Sequence, residues 1–379
     1  MKLFFWQNTN SIHQSSFLRC LDEMNTGNVT LLTTNRISSH RSEMGWAEPK
    51  LGNVTHISLW NDTLQISDII DDNSGSDSVH IFSGINAFPV IQKAFLYAIK
   101  KGCRIGIFTE PLDFRGVKGK FRTIRGFYHR YLYSSNIEFV LATGKNGVDQ
   151  FKLWGYDSRK VFEWAYTVEN SNCDIIGDIS PLSGEYMIAF AGSLIPRKGY
   201  DILIKALEKI DLPFKADLYC LRPDQINSSK SAETVNQVSG SINFHNFLPN
   251  ATLRRKLNTY DLFILPSRHD GWGAVVSESI MEGTPVLVSK YCGSSSLITD
   301  NQIGKVINSL DVEKLAQSIR VMIEKGKVRV TERRANRAWA ISHISGKPMA
   351  SYFLKIIDFL DKGLMVDKPT APWYQIEKQ

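Results

Sequence analysis

Cysteine is scarce in this chain of 379 residues. The five present (Cys20, Cys103, Cys173, Cys220, Cys292) are scattered with no close pair. That spacing argues against a zinc site and against a disulfide framework, and it predicts a cytoplasmic protein. Long apolar runs are also missing: none approaches the roughly 18–20 residues that a membrane-spanning helix needs. The first residues, Met1 to Gln7, carry one charge and an apolar stretch too short for a signal peptide, and they read as a buried strand. There is no short-period repeat and no low-complexity tract. Neither Trp6–Gln14 nor Phe190–Gly199 supplies a Gly-x-Gly-x-x-Gly turn. A nucleotide-dependent oxidoreductase on a comparable sheet, the main alternative reading, would want that turn after its first strand.

What is there is globular in composition, with 43% hydrophobic and 22% charged residues. The length exceeds one ordinary core and predicts two domains of roughly 150–200 residues. The net charge of +7 suits nucleic acid, an anionic membrane surface or a phosphate-bearing ligand without choosing among them. No recognisable nucleic-acid module accompanies it, so nucleic-acid binding ranks last.

Short apolar runs alternate with segments of helical period. Strands are predicted at Leu3–Trp6, Val29–Thr33, Val54–Leu59, His80–Ser83, Arg104–Thr109 and Phe139–Ala142, with helices at Ser15–Met24 and Pro89–Lys101 among them. Around Thr167–Glu185 the pattern lapses into Asn, Asp, Ser and Gly, as a linker would. It restarts with strands at Met187–Ala191, Ala216–Leu221, Leu262–Leu265 and Val286–Ser289. Helices are expected at Tyr200–Ile210, Leu253–Thr259, Val275–Glu282 and Val312–Lys325. Such alternation predicts an α/β protein of two Rossmann-like, doubly wound domains facing a central cleft. The expected division is an N-terminal domain over 1–168, a linker over 169–185, a second domain over 186–345, and a C-terminal helix and tail over 346–379 with scope to cross back to the first domain. The tail after Lys362 is polar, carries Pro369 and Pro372, and reads as a loose or strapping segment.

Two segments carry chemistry. In Phe190–Gly199 a strand runs into a small-residue loop with Gly192, then the adjacent cations Arg197 and Lys198, then a helix. A loop before a helix N-terminus offers amides and a positive dipole end. Arg197 can fork onto phosphate oxygens and Lys198 can act as a point charge, a pairing suited to a diphosphate leaving group that gains charge. The second segment runs from Leu262 to Val286: a buried strand ending at Pro266, a glycine-rich loop with Asp270, a short helix holding Glu278, and Gly283 as its stop. The glycines allow close backbone approach, and two acceptor-only carboxylates can hold hydroxyls at two ends of one elongated ligand.

Together these residues resemble the donor-binding domain of the family-4-type retaining glycosyltransferases of GT-B fold. That family has two acids separated by seven residues in a Pro-Ser-x-x-Glu-Gly-Phe-Gly-x-x-x-x-Glu-Ala-x-x-x-Gly-x-Pro-Val setting. Pro266-Ser267, Asp270-Gly271-Trp272-Gly273, Glu278-Ser279 and Gly283-Thr284-Pro285-Val286 fall in register with it, over a match of roughly residues 187–310. The resemblance implies that Glu278 holds the ribose. Asp270 and the amides of Gly271, Trp272, Gly273 and Ala274, with Val275 next in line, hold a hexose, and Arg197 with Lys198 holds the diphosphate. It implies no metal, because the cations neutralise charge, and no cofactor beyond the nucleotide sugar (UDP- or GDP-linked) as donor. Two departures stand out: Asp270 replaces the usual glutamate and is one methylene shorter, and Asn8–Gln14 replaces a glycine-rich first loop. The latter is similar to a subset of bacterial polysaccharide-assembly transferases. The acceptor implied is a saccharide or a lipid-linked one, in polysaccharide or lipopolysaccharide assembly.

On the acceptor side, Glu110 follows a predicted strand in Phe108–Asp113 and is the candidate for touching an acceptor hydroxyl. Asp113 and His13 are the accompanying candidates. Finally, Arg115, Lys118, Lys120, Arg122, Arg125 and Arg130 are interleaved with Phe121, Ile124, Phe127, Tyr128 and Tyr131, without one acid between 115 and 130. The segment reads either as a solvated helix face or as a helix resting on anionic lipid or gripping a lipid diphosphate, which would place the protein peripherally on the inner face of the cell membrane.

Overall fold

The computed structural model describes residues 1–37, 47–60, 65–170, 184–221, 235–236, 240–299 and 302–375. Residues 171–183, most of the expected linker and with it Cys173, lie outside the described residues. The chain divides into two compact units. The first holds the N-terminal part to Glu169 and resumes at His343, and the second ends at Ser342.

In the first unit, seven parallel strands are ordered β3-β2-β1-β4-β5-β6-β7. They are β1 (Lys2–Gln7), β2 (Val29–Thr33), β3 (Thr55–Ser58), β4 (Ser78–Ser83), β5 (Arg104–Thr109), β6 (Phe139–Thr143) and β7 (Val161–Trp164). The crossover helices are α1 (Ser15–Met24), α2 (Ile66–Asp71), α3 (Pro89–Lys101), α4 (Gly116–Tyr133) and α5 (Gly144–Leu153). α3 shows why such boundaries were legible. Pro89 opens it where an amide has no partner anyway, and Gly102 closes it at φ 70°, a left-handed conformation that favours glycine. Trp6, Phe82 and Phe95 are fully buried in the core between the sheet and α2 to α5. There the Trp6 indole donates to His80 Nδ1 at 3.1 Å, and His80 Nε2 lies 2.9 Å from the Asn73 carbonyl. With Nδ1 accepting, the proton sits on Nε2 and His80 is neutral.

The second unit contains β8 (Tyr186–Ala191), β9 (Phe214–Leu221), β10 (Val235–Asn236), β11 (Gly240–Asn246), β12 (Leu262–Leu265), β13 (Val286–Ser289) and β14 (Gly304–Ile307). Their order is β10-β11-β9-β8-β12-β13-β14, and all pairs are parallel except β10 with β11. Its helices are α6 (Tyr200–Leu207), α7 (Asn250–Leu257), α8 (Ala274–Met281), α9 (Val312–Glu324) and α10 (Val330–Ile344).

The last helix, α11 (Gly346–Asp361), belongs to the first unit. Phe353 is fully buried there, with ring contacts to Phe5, Phe17, Phe139 and Trp164. A side chain at Gly346 would stand 2.4 Å from the Ser16 carbonyl oxygen, so glycine permits α11 to approach α1. The tail is a strap along β7, the edge strand. Lys368 Nζ donates to the carbonyls of Ser158 and Val161 at 2.8 and 2.7 Å, and the Tyr374 hydroxyl donates to Glu163 at 3.2 Å. Covering an open edge in this way removes a template for pairing with other chains.

Candidate active site

In the second unit the strand order reverses between β8 and β12: β8 leads outward through α6 to β9, and β12 leads outward the other way through α8 to β13. The loops leaving β8 and β12 therefore flank a topological switch point, where open α/β sheets hold their ligands. Both loops end in a glycine of left-handed conformation, Gly199 at φ 74° and Gly273 at φ 83°. Each glycine starts a helix that has no side-chain cap. A Cβ at Gly199 would lie 2.0 Å from the Pro266 carbonyl oxygen, so only glycine lets the two loops touch.

The loops are stitched together by backbone and side chain. Arg268 N donates to Arg197 O at 2.8 Å. The Arg268 guanidinium forks onto both carboxylate oxygens of Asp201, the second residue of α6, at 2.7 Å each. That contact holds the Asp201 carboxyl below the usual carboxylate range. On the other flank, Asp270 N donates to Tyr291 O at 3.0 Å and Gly293 N donates to Asp270 O at 3.1 Å. Cys292 is buried beneath. Burial raises its thiol pKa, the Asp270 charge adds to the rise, and Lys198 opposes it.

On this frame Lys198 Nζ donates to Asp270 Oδ2 at 2.5 Å, and Arg197 stands 3.9 Å from Oδ1 while donating to the His269 carbonyl at 3.1 Å. The Asp270 side chain is 12% exposed and that of Lys198 is 19% exposed, so water screens the pair only partly. An ammonium has three N–H donors, and this bond uses one. The two motifs read from the sequence thus meet at Arg197, Lys198 and Asp270.

The other expected residues sort differently. Glu278 is buried one turn inside α8 and accepts from Asn250 Nδ2, on α7, at 2.7 Å. Gly192 donates its amide to the Tyr219 carbonyl at 3.2 Å, so this amide extends the sheet ladder and does not point at a ligand. Trp272 has a buried ring that donates to Ser277 Oγ at 3.0 Å; its side chain is a structural plug, and only its backbone can serve the loop. Gly271 packs its carbonyl against Gly293, where a Cβ would approach to 2.2 Å. Ala274 and Val275 open α8, half-buried, and an α-helix leaves such first amides without intrahelical acceptors.

In the first unit, His13 and Glu110 are joined through a residue the sequence reading did not single out. The Tyr166 ring stacks on His13 with centroids 6.1 Å apart, and its hydroxyl donates to Glu110 Oε1. Tyr166 follows β7, a strand that was not foreseen, and its one sequence signal is an aromatic just past an apolar run. Asp113 is engaged by Arg115, whose guanidinium reaches its two carboxylate oxygens at 2.8 and 2.6 Å. It organises the turn into α4.

Comparison with known proteins agrees with this frame. Residues 175–339 match the family model described as glycosyl transferases group 1. A lipopolysaccharide core biosynthesis glycosyltransferase, LpsE, of Rhizobium meliloti is 24% identical over 168 residues, which is 44% of this chain and 48% of LpsE. The chain spans about half the length of the curated relatives it matches. Among solved structures, the lipopolysaccharide outer core galactosyltransferase WaaB superposes with a TM-score of 0.65 at 12% identity, over 96% of this chain and all (100%) of WaaB. Anabaena Alr3699/HepE in complex with UDP-glucose superposes with a TM-score of 0.62 at 14% identity, over 96% of this chain and 100% of that one. The family resemblance read from the motif and the GT-B fold class are both borne out.

Proposed function

We propose that this chain is a retaining, metal-independent glycosyltransferase that moves a hexose from a UDP- or GDP-linked donor to a saccharide or lipid-linked acceptor, in assembly of a cell-surface polysaccharide or lipopolysaccharide. One observation carries the reading: Lys198, Arg197 and Asp270 meet at the switch point between two uncapped helix N-termini. A sugar–diphosphate bond that breaks leaves charge on the diphosphate. Two cations and two helix dipoles are the groups that stabilise such charge as it grows. Asp270, beside them, accepts from hydroxyls of the transferred sugar, and Glu278 accepts from the ribose. Retention and the absence of a metal are inferred from the acid pair's resemblance to the family. The nucleotide-sugar donor is supported by the UDP-glucose complex of the Anabaena protein, and the assembly role by the names of LpsE and WaaB.

Contact with an anionic membrane belongs to the same proposal. α4 presents Phe121 (69% exposed), Ile124 and Tyr131 (81% exposed) to solvent together with Lys118 and Lys120, and none of its residues is acidic. An apolar patch rimmed by cations suits the headgroup boundary of anionic lipid.

The test is hydrolysis of a panel of nucleotide sugars by the purified chain, with proton NMR of fresh transfer product and with EDTA added. An α-linked product from an α-linked donor, formed equally well in EDTA, is expected. Lack of hydrolysis of every donor overturns the transferase reading. A β-linked product or a requirement for a divalent ion overturns only the mechanism.

A further inference from the structure

Below α4 the first unit contains a cavity of about 260 Å³ that the reading above leaves unused. By the same measure one water needs only about 10–15 Å³, so the space is of ligand size. Gly84 and Thr109, at the carboxyl ends of β4 and β5, line it, and that is the end of a parallel sheet at which α/β proteins bind. One wall is aromatic: Phe151 packs edge-on against Trp154 at 5.2 Å and against Tyr156 at 4.9 Å. The other wall is the inner side of α4, with Arg122, Arg125 and His129. Among the described residues no acidic side chain lines the cavity.

Trp154 and Tyr156 are more than nine-tenths buried, and their polar atoms are sealed from the cavity, Trp154 Nε1 by Gly126 of α4, so this wall offers ring carbon and not donors. α4 is inverted above it. Its buried positions are Gly119 and Gly126, while its large apolar residues face solvent. At Gly126 a Cβ would come within 1.9 Å of the Trp154 ring. The helix therefore gives up apolar packing on its inner side, where the arginines and the aromatic wall remain.

We infer that this cavity binds the phosphate-bearing sugar of the acceptor. Arg122 and Arg125 face the phosphate, and the aromatic wall packs on the apolar face of the sugar ring. Arg122 already donates to the Asp113 carbonyl at 2.7 Å, which fixes its guanidinium at the mouth. The assignment to the acceptor rests on the transferase reading, whereas the assignment of a sugar phosphate to the cavity does not. The same chemistry is found in a free sugar phosphate and in a sugar phosphate on a lipid.

Calorimetric titration of the whole chain decides the matter, without donor, using glucose 1-phosphate, glucose 6-phosphate, glucose and inorganic phosphate. Co-sedimentation with phosphatidylcholine vesicles, with and without polyprenyl phosphoglucose, covers the lipid source. The expected result is binding of a sugar phosphate, free or on vesicles, with glucose weaker by about tenfold or more, the scale of one charge-assisted hydrogen bond. Arg122→Gln with Arg125→Gln should lower that affinity by at least as much. Binding to free ligand alone identifies a soluble acceptor, and binding to vesicles alone a lipid-linked one. Absence of binding in both arms, or binding untouched by the double variant, overturns the inference. If sugar phosphate binds but the wild-type chain hydrolyses no nucleotide sugar, the cavity stands and the transferase reading falls.

Discussion

Replacing Asp270 by asparagine keeps the shape of the side chain and removes its charge. Asp270 is bonded to Lys198 at 2.5 Å and lies 3.9 Å from Arg197, with its side chain only 12% exposed. A hydrogen bond to a charged group contributes about 1.5–3 kcal/mol. At about 1.36 kcal/mol per decade, its loss from the transition state lowers turnover roughly 10- to 150-fold. Folding stability should change much less, because the Lys198 side chain, 19% exposed, can recover water once its partner is neutral. The assay is donor hydrolysis beside a thermal melt, for Asp270→Asn, Lys198→Met and the double variant. The two residues touch, so their effects on turnover should fall short of additivity by about 0.5–3 kcal/mol. Full activity of Asp270→Asn on the native donor, or strict additivity in the cycle, refutes the reasoning.

Three further outcomes are expected. Arg197→Ala should chiefly lower turnover and Glu278→Ala should chiefly weaken nucleotide affinity, because leaving-group charge grows only in the transition state; titration with UDP and GDP beside steady-state kinetics separates them. The chain should sediment with phosphatidylglycerol-containing vesicles at low salt and release as salt rises. Phe121→Ser with Ile124→Ser, Lys118→Gln and Lys120→Gln should abolish that binding, each cation contributing about 1 kcal/mol near the surface. Burial lowers the His80 pKa below its ordinary 6.5. The unfolded chain therefore binds the proton first, and stability that is full above about pH 6.5 is lost as pH falls toward the folded pKa. Denaturant melts between pH 7 and 5 should show this slope, and His80→Gln should flatten it.

Much of the fold was legible because it follows the hydrophobic pattern. α1 and α3 run over the residues that periodicity and glycine stops indicated, and β12, β13 and α8 lie within one residue of expectation. β11 was missed for a physical reason. Its sequence, GSINFHN, is half polar because Asn243 and His245 reach across to the buried Asp217 at 3.1 and 2.8 Å, a partnership between strands that no local window contains. α4 departs from the usual amphipathic pattern: its apolar residues mark the outside and its glycines the inside. Of the candidate site, the cations and Asp270 were visible as motifs. Tyr166 and the Arg268–Asp201 fork were not, since each works through a residue distant in the chain.

The return of α11 and the tail to the first unit has a consequence for biosynthesis. A ribosome delivers β1 to β7 early, but Phe353 and the strap on β7 arrive last, after the whole second unit has been made. Until then Phe5, Phe17, Phe139 and Trp164 lack the ring that packs against them, and the β7 edge lacks its cover. The second unit, whose strands and helices follow one another from β8 to α10, needs no such wait. The first-made half is therefore the last to be completed, and a ribosome that stalls before α11 leaves a nascent chain with a sticky aromatic surface for chaperones to shield.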